Sequence, residues 1–165
     1  MVEGDAGSGK SKLIQDLEQV MQKEFTEAGH DTEEQPYILK GSFTGEAACN
    51  IKGQTLTSLF SLSFGNKYTC LSDFVRAKKR DQLNNLKLLI IDEYSLVKSD
   101  MLYQIDQRLK EIKIRPGDRF GGVAVLMTGN LIQLPSVQGN YIFQEPRNDQ
   151  WKIGYHLDNL WEASY

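Results

Sequence analysis

Apolar residues between Ser11 and Ala28 fall at Leu13, Ile14, Leu17, Val20, Met21 and Phe25. Steps of three and four predict an amphipathic helix, with Gly29 as its stop. Tyr37-Ile38-Leu39 is short, apolar and β-prone, and predicts a strand. Two short helices are expected at Glu46–Asn50 and Gln54–Phe60, split by Gly53. Leu88-Leu89-Ile90-Ile91 is apolar without alternation, as in a strand covered on both faces. After Ser99, read as an N-cap, Met101, Leu102, Ile105, Leu109 and Ile112 mark another helix. Its charged face carries Asp106, Arg108, Lys110 and Glu111. Val123–Met127 predicts a further buried strand. Strands alternating with helices predict one three-layer α/β domain with a mainly parallel sheet over 1–165.

Composition changes this picture little. The chain has 165 residues, 40% hydrophobic and 25% charged, so a packed core is expected rather than disorder. A net charge of −3 excludes a generic polybasic binder of nucleic acid or membrane, though not a local patch. The one basic cluster, Arg76-Ala77-Lys78-Lys79-Arg80, reads either as a contact to DNA backbone or as a solvated helix face. Cys49 and Cys70 are too few for a disulfide framework and are expected as buried free thiols in a reducing compartment. Apolar runs are far shorter than the roughly 20 residues of a membrane span.

Candidate chemistry starts at Gly4-Asp5-Ala6-Gly7-Ser8-Gly9-Lys10-Ser11, which fits the phosphate-loop pattern Gly-x-x-x-x-Gly-Lys-Ser/Thr in full. Its glycines turn backbone N–H groups toward phosphate oxygens, and the helix that follows presents its positive end to the same anion. Lys10 is placed to reach the β/γ-phosphates of ATP, and the Ser11 hydroxyl to ligate Mg²⁺. Only three residues precede Gly4, fewer than the strand that should feed such a loop. Asp92 and Glu93 follow the strongest strand, at the edge where open α/β sheets bind ligands. Asp92 would hold the magnesium site through water, and Glu93 would orient and deprotonate attacking water. Gln133, in Gly129-Asn130-Leu131-Ile132-Gln133-Leu134-Pro135, could donate to the γ-phosphate and accept from water.

Together these segments resemble the petite-integration-frequency (Pif) family of superfamily-one DNA helicases, most densely those of eukaryotic genomes and Helitron-type transposons. Besides the phosphate loop, the continuous stretch from Ser42-Phe43-Thr44-Gly45-Glu46-Ala47-Ala48 through Gly53-Gln54-Thr55-Leu56-Thr57-Ser58 resembles the family's Thr-Gly-x-Ala-Ala and Gly-x-Thr-Leu-His-Ser segment. Asp92-Glu93-Tyr94-Ser95-Leu96-Val97 resembles Asp-Glu-Ile-Ser-Met-Val. Phe120-Gly121-Gly122 and Gly129–Pro135 resemble Phe-Gly-Gly and Gly-Asp-x-x-Gln-Leu-Pro, and Trp161 suits a later tryptophan. The resemblance implies a first RecA-like motor lobe, with ATP on Gly7, Gly9, Lys10 and Ser11, and Asp92, Glu93 and Gln133 around the γ-phosphate. It places Thr44, Gly45, Thr55 and Ser58 near phosphates of single-stranded or fork DNA, although helix capping would also explain the hydroxyls. It further implies roles in DNA repair, recombination and telomere maintenance, in the nucleus or the mitochondrion.

Thr57 stands where the family has His, Tyr94 where it has Ile, Leu96 where it has Met and Asn130 where it has Asp. The first lobe is expected to be truncated at both ends. A second lobe, with its arginine finger, is expected to be missing after Tyr165, leaving this chain a poor helicase alone. The alternatives are a nucleotide- or partner-binding remnant of such a helicase and an AAA-type ATPase, in which Asn130 would act as a sensor.

Overall fold

A computed structural model of the chain describes residues 1–5, 7–27, 35–63 and 68–130. Five strands form one sheet: β1 (Val2–Glu3), β2 (Ile38–Ser42), β3 (Gln54–Thr55), β4 (Leu88–Asp92) and β5 (Ala124–Gly129). Their spatial order is β1-β5-β4-β2-β3, and every pairing is parallel. The helices are α1 (Lys10–Glu27), α2 (Gly45–Asn50), α3 (Leu56–Phe60), α4 (Asp73–Gln82) and α5 (Ser99–Lys113). None among the described residues is long and apolar enough to cross a membrane.

Alternation along β4 builds the three layers. Successive side chains of a strand point to opposite faces. Leu89 and Ile91 join a core with Leu56, Phe60, Leu102, Ile105 and Leu109 from α3 and α5. Leu88 and Ile90 face the other way, onto Ile14 of α1 and Ile51. All five β4 residues are buried, as the unalternating apolar run required.

Several expectations need correction. Leu13 and Val20 fall outside the buried stripe of α1 and are exposed, whereas Ile14, Leu17 and Met21 pack inward. Gln54-Thr55 is a strand rather than the start of a helix, because its backbone completes the sheet beside Gly41 and Ser42. The strand missing ahead of the phosphate loop is present as two residues, Val2 and Glu3, paired with Thr128 and Gly129. The last strand, β5, is exposed at Ala124 and only half-buried at 125–127. Ser99 is the first helical residue of α5 and is buried, while Lys98 takes the N-cap position without a side-chain cap bond. Cys49 and Cys70 are both exposed free thiols.

The largest correction concerns charge. Asp106 and Arg108, expected on a solvated face, are buried. Arg108 uses all three of its nitrogens. Nε donates to Phe60 O (3.0 Å), and Nη2 donates to Thr69 O (3.0 Å) and Ser61 O (3.4 Å). Nη1 donates to Glu111 Oε2 (2.6 Å) and Tyr68 Oη (3.2 Å), and the guanidinium also lies over the Tyr68 ring. Asp106 accepts from Lys110 Nζ and from the N–H of Phe120, both at 2.7 Å. That second bond helps hold the turn Arg119–Gly122, where Phe120, Gly121 and Gly122 all take positive φ. A Cβ at Gly121 would strike the Leu109 carbonyl, so this turn admits only glycine there.

The basic cluster lies on α4, which has no fully buried residue. Arg76 pairs with Asp73 and Glu111, Lys79 donates to Leu59 O (2.7 Å), and Arg80 donates to Glu111 O (3.1 Å). Arg76, Lys79 and Arg80 are half-buried and engaged by the protein itself, while Lys78 is exposed.

Candidate nucleotide and DNA site

The C-terminal ends of β1, β4 and β5 meet at one edge of the sheet, and the loop 4–9 rises from it. The loop is anchored by Gly4 N–H donating to Gly129 O (3.2 Å) and Ser8 N–H donating to Asp5 O (3.1 Å). Gly7 and Gly9 have φ of +79° and +90°, the left-handed region that bulkier residues rarely adopt. A Cβ at Gly4 would collide with Ser8 Oγ. Lys10 Nζ folds back onto the loop, donating to Gly4 O (2.6 Å) and Asp5 O (2.8 Å). An ammonium held by two carbonyls of its own loop is positioned to exchange them for phosphate oxygens. Ser11 is exposed in the first turn of α1. Ala6 and Gln133, both expected in the site, lie outside the described residues, as does Trp161.

Asp92 ends β4 and is buried. Two hydroxyls from the neighbouring strands hold it. Thr128 Oγ1 on β5 donates to Asp92 Oδ1 (2.7 Å), and Ser42 Oγ on β2 donates to the Asp92 carbonyl (3.0 Å). Both hydroxyl residues are fully buried. Neither was assigned a role from sequence, since a lone Ser or Thr at a strand end carries no distinctive spacing.

Glu93 follows with φ +53°, a left-handed backbone that swings its side chain out of the strand direction. Burial raises its pKa above the ordinary carboxylate value, and the charges of Asp92 and Glu46 push the same way. A carboxylate with raised pKa is a stronger base toward a water proton. Tyr94 is wholly buried, and its ring lies against Gly129, where a Cβ would approach within 2.9 Å. Its hydroxyl donates to Glu3 Oε1 (2.6 Å), tying the turn after Asp92-Glu93 to β1. Tyr94 therefore does more than fill the space of an aliphatic side chain. Asn130 Nδ2 donates to Asp5 Oδ1 (2.9 Å), joining the end of β5 to the phosphate loop.

Thr44 and Thr55 are N-caps. Thr44 Oγ1 accepts from Ala47 N–H (3.2 Å) at α2, and Thr55 Oγ1 accepts from Ser58 N–H (3.3 Å) at α3. The capping explanation therefore holds for both. It leaves each O–H available as a donor, because a hydroxyl accepts and donates at once. Gly45 and Ser58 are exposed beside them. Register brings the two segments to the same edge as the carboxylates: Ser42 is paired with Asp92 on one side and with Thr55 on the other.

The model of the family described as PIF1-like helicase matches residues 1–161. Among curated proteins, ATP-dependent DNA helicase PIF1 of Emericella nidulans is 31% identical over 139 residues, covering 81% of this chain and 17% of the relative. ATP-dependent DNA helicase RRM3 of Saccharomyces cerevisiae is 32% identical over 140 residues, covering 81% of this chain and 18% of the relative. Among solved structures, Bacteroides Pif1 bound to ssDNA is 35% identical, with a TM-score of 0.63 over 83% of this chain and 29% of that one. Bacteroides Pif1 in complex with ADP-AlF3 and ssDNA is 30% identical, with a TM-score of 0.64 over 99% of this chain and 32% of that one. The fold is thus the RecA-like lobe of those structures. The chain spans about a sixth of the curated relatives it matches (17% and 18%) and about a third of the solved chains (29% and 32%).

Proposed function

This chain belongs to the PIF1-like helicase family, and from that premise we propose that it forms the ATP-binding lobe of a DNA helicase motor. The observation that carries this reading is the convergence of the loop 4–11, Asp92, Glu93 and the 42–58 segment on one sheet edge. Two relatives supply the ligands to expect: one is a complex with ADP-AlF3 and ssDNA, another is bound to ssDNA. The AAA-type alternative falls with the family assignment.

On nucleotide binding, Lys10 Nζ leaves the Gly4 and Asp5 carbonyls for the β- and γ-phosphates. The backbone amides of Gly7 and Gly9 and the N-terminus of α1 hold the remaining phosphate oxygens. One buried carboxylate at the end of β4, Asp92, and one exposed hydroxyl at the start of α1, Ser11, fit a cation that keeps its waters and phosphate ligands, as Mg²⁺ does. Mg²⁺, held by Ser11 Oγ and through water by Asp92, would neutralise charge building on the phosphates. Thr128 fixes the Asp92 carboxylate in one orientation. Glu93 takes the proton of the attacking water, and Gln133 orients that water against the γ-phosphate. Asn130 and Asp5 bond the β5 end to the loop, so movement at one reaches the other.

Thr44, Gly45, Thr55 and Ser58 contact single-stranded DNA through phosphates, which suits sequence-independent tracking. Unwinding belongs to a two-lobe assembly, in which a second RecA-like lobe supplies an arginine finger worth roughly 10³–10⁵ in rate. This reading extends to work on DNA in repair, recombination and telomere maintenance, in the nucleus or the mitochondrion.

The test is nucleotide binding and ATP hydrolysis with and without oligothymidylate. Lys10→Ala should abolish nucleotide binding and DNA-stimulated hydrolysis. Nucleotide affinity unchanged by Lys10→Ala would overturn the site. Strand displacement by the 165-residue chain alone would overturn the requirement for a second lobe.

A further inference from the structure

Three strand ends lie side by side at the active edge: Thr55 of β3, Ser42 of β2 and Asp92 of β4. At the usual 4.7–4.9 Å between strands, Thr55 and Asp92 are roughly 10 Å apart with only Ser42 between them. Ser42 is wholly buried, and its Oγ donates to the Asp92 carbonyl at 3.0 Å. Two residues further on, Thr44 caps α2. The backbone from Ser42 into Thr44-Gly45 is therefore continuous with one proposed DNA contact. Through its partner Thr55 it adjoins another.

The bond has a specific target. Thr128 holds the Asp92 side chain, whereas Ser42 holds the Asp92 backbone. Glu93 is the next residue, in a left-handed conformation that non-glycine residues rarely occupy. A hydrogen bond to the carbonyl of the peptide linking Asp92 to Glu93 restrains the orientation of that peptide, and with it the direction in which Glu93 leaves the strand. A shift of the β2 end caused by DNA at Thr44 or Thr55 must change this bond or carry the Asp92–Glu93 peptide along with it.

We propose that Ser42 is a positioning residue that couples single-stranded DNA bound at Thr44 and Thr55 to the nucleotide held at Asp92 and Glu93. The inference rests on the proposed assignment of both sites. Coupling between sites is reciprocal, so DNA must change nucleotide affinity by the same factor as nucleotide changes DNA affinity.

The experiment measures the dissociation constant of a fluorescent ADP with Mg²⁺, with and without saturating oligothymidylate. It uses the unmodified chain, Ser42→Ala and Ser42→Cys, each checked by circular dichroism and thermal unfolding. Ser42→Cys keeps the side chain's approximate size while weakening the hydrogen bond, which covers the case in which alanine fails to fold. The unmodified chain should show a DNA-dependent ratio of about fivefold or more. Both Ser42 variants should bind oligothymidylate and ADP separately with near-normal affinity, while the ratio collapses toward one. Thr128→Val provides the contrast, weakening Mg²⁺-dependent ADP binding equally with and without DNA and leaving the ratio intact. A ratio retained in the folded Ser42 variants overturns the proposal, as does the absence of any ratio in an unmodified chain that binds both ligands. Failure of the unmodified chain to bind ADP or oligothymidylate would instead overturn the functional reading beneath it.

Discussion

Asp92 at the sheet edge and Arg108 in the ion-pair cluster of α5 are both held by neighbours 36 to 50 positions away in sequence. The acids beside them are left in opposite states. Glu93 stands next to two further acids, Asp92 and Glu46, and its pKa is raised. Glu111 accepts from Arg108, Tyr68 and the Leu71 N–H. Burial alone would raise the Glu111 pKa, but these bonds outweigh burial and hold it below the ordinary value. One acid is kept in a setting that favours its protonated form, ready to take a proton. The other is fixed as an anion. In a chain rich in charge, a saturated cluster has the character of scaffold, and an under-compensated one at a strand end is a candidate for chemistry.

The saturated cluster also explains the form of α3. Five residues make a helix too short to persist alone. Its last carbonyls are satisfied by cations from other elements, Leu59 O by Lys79 and Phe60 O by Arg108. The opposite end, with Thr55 and Ser58, is thereby presented at the edge.

This contrast can be broken at either side. The largest effect is expected from Glu93→Gln, which should lower DNA-stimulated ATP hydrolysis by about 10²–10⁴-fold in steady-state assays. Stability should hold or rise in the same variant, because a carboxylate disfavoured in its ionised form is removed. Arg108→Met should do the reverse. It takes the buried cation from Glu111 and leaves the Phe60 and Thr69 carbonyls without their Arg108 donors, at a cost of about 3–5 kcal/mol in denaturant unfolding. The folded fraction should keep its nucleotide affinity.

Titration sharpens the same comparison. Glu111, with its lowered pKa, adds stability that is present above the ordinary carboxylate value and lost as pH falls through its folded-state value. Glu111→Gln should remove that part of the acid sensitivity, read as thermal midpoints between pH 3 and 6. Glu93 behaves oppositely: hydrolysis should fall on acidification at a pH above the ordinary carboxylate range. Glu46→Gln should move that acid limb partway back down, since Glu46 is the smallest of the three causes. The smallest effect is expected at Ile114, an exposed β-branched residue with φ +57° that ends α5. Ile114→Gly should stabilise the fold by about 1 kcal/mol, with nucleotide binding untouched.

Much of this was readable in the sequence, for local reasons. The loop 4–11 and Asp92-Glu93 are contiguous runs, so their residue types and spacing show in the sequence itself. The buried run 88–91 announces a central strand because it lacks alternation. What escaped depends on distant partners. Nothing near Arg108 shows that Phe60, Tyr68 and Thr69 will surround it, so it reads as part of a wet face. The engagement of Arg76, Lys79 and Arg80 likewise depends on α3 and α5. Two-residue strands such as β1 and β3 carry no periodicity and exist only through pairing. Ser42 and Thr128 gain meaning from the one residue they share on β4, Asp92, whose carbonyl takes the first hydroxyl and whose carboxylate takes the second.

Hydrogen exchange on addition of ADP and Mg²⁺ tests the central claim most directly. New protection is expected at 4–13, 89–94 and 128–130, with little change at 68–72 and 105–112. Protection concentrated at 68–72 and 105–112, with none at 4–13, would contradict that claim.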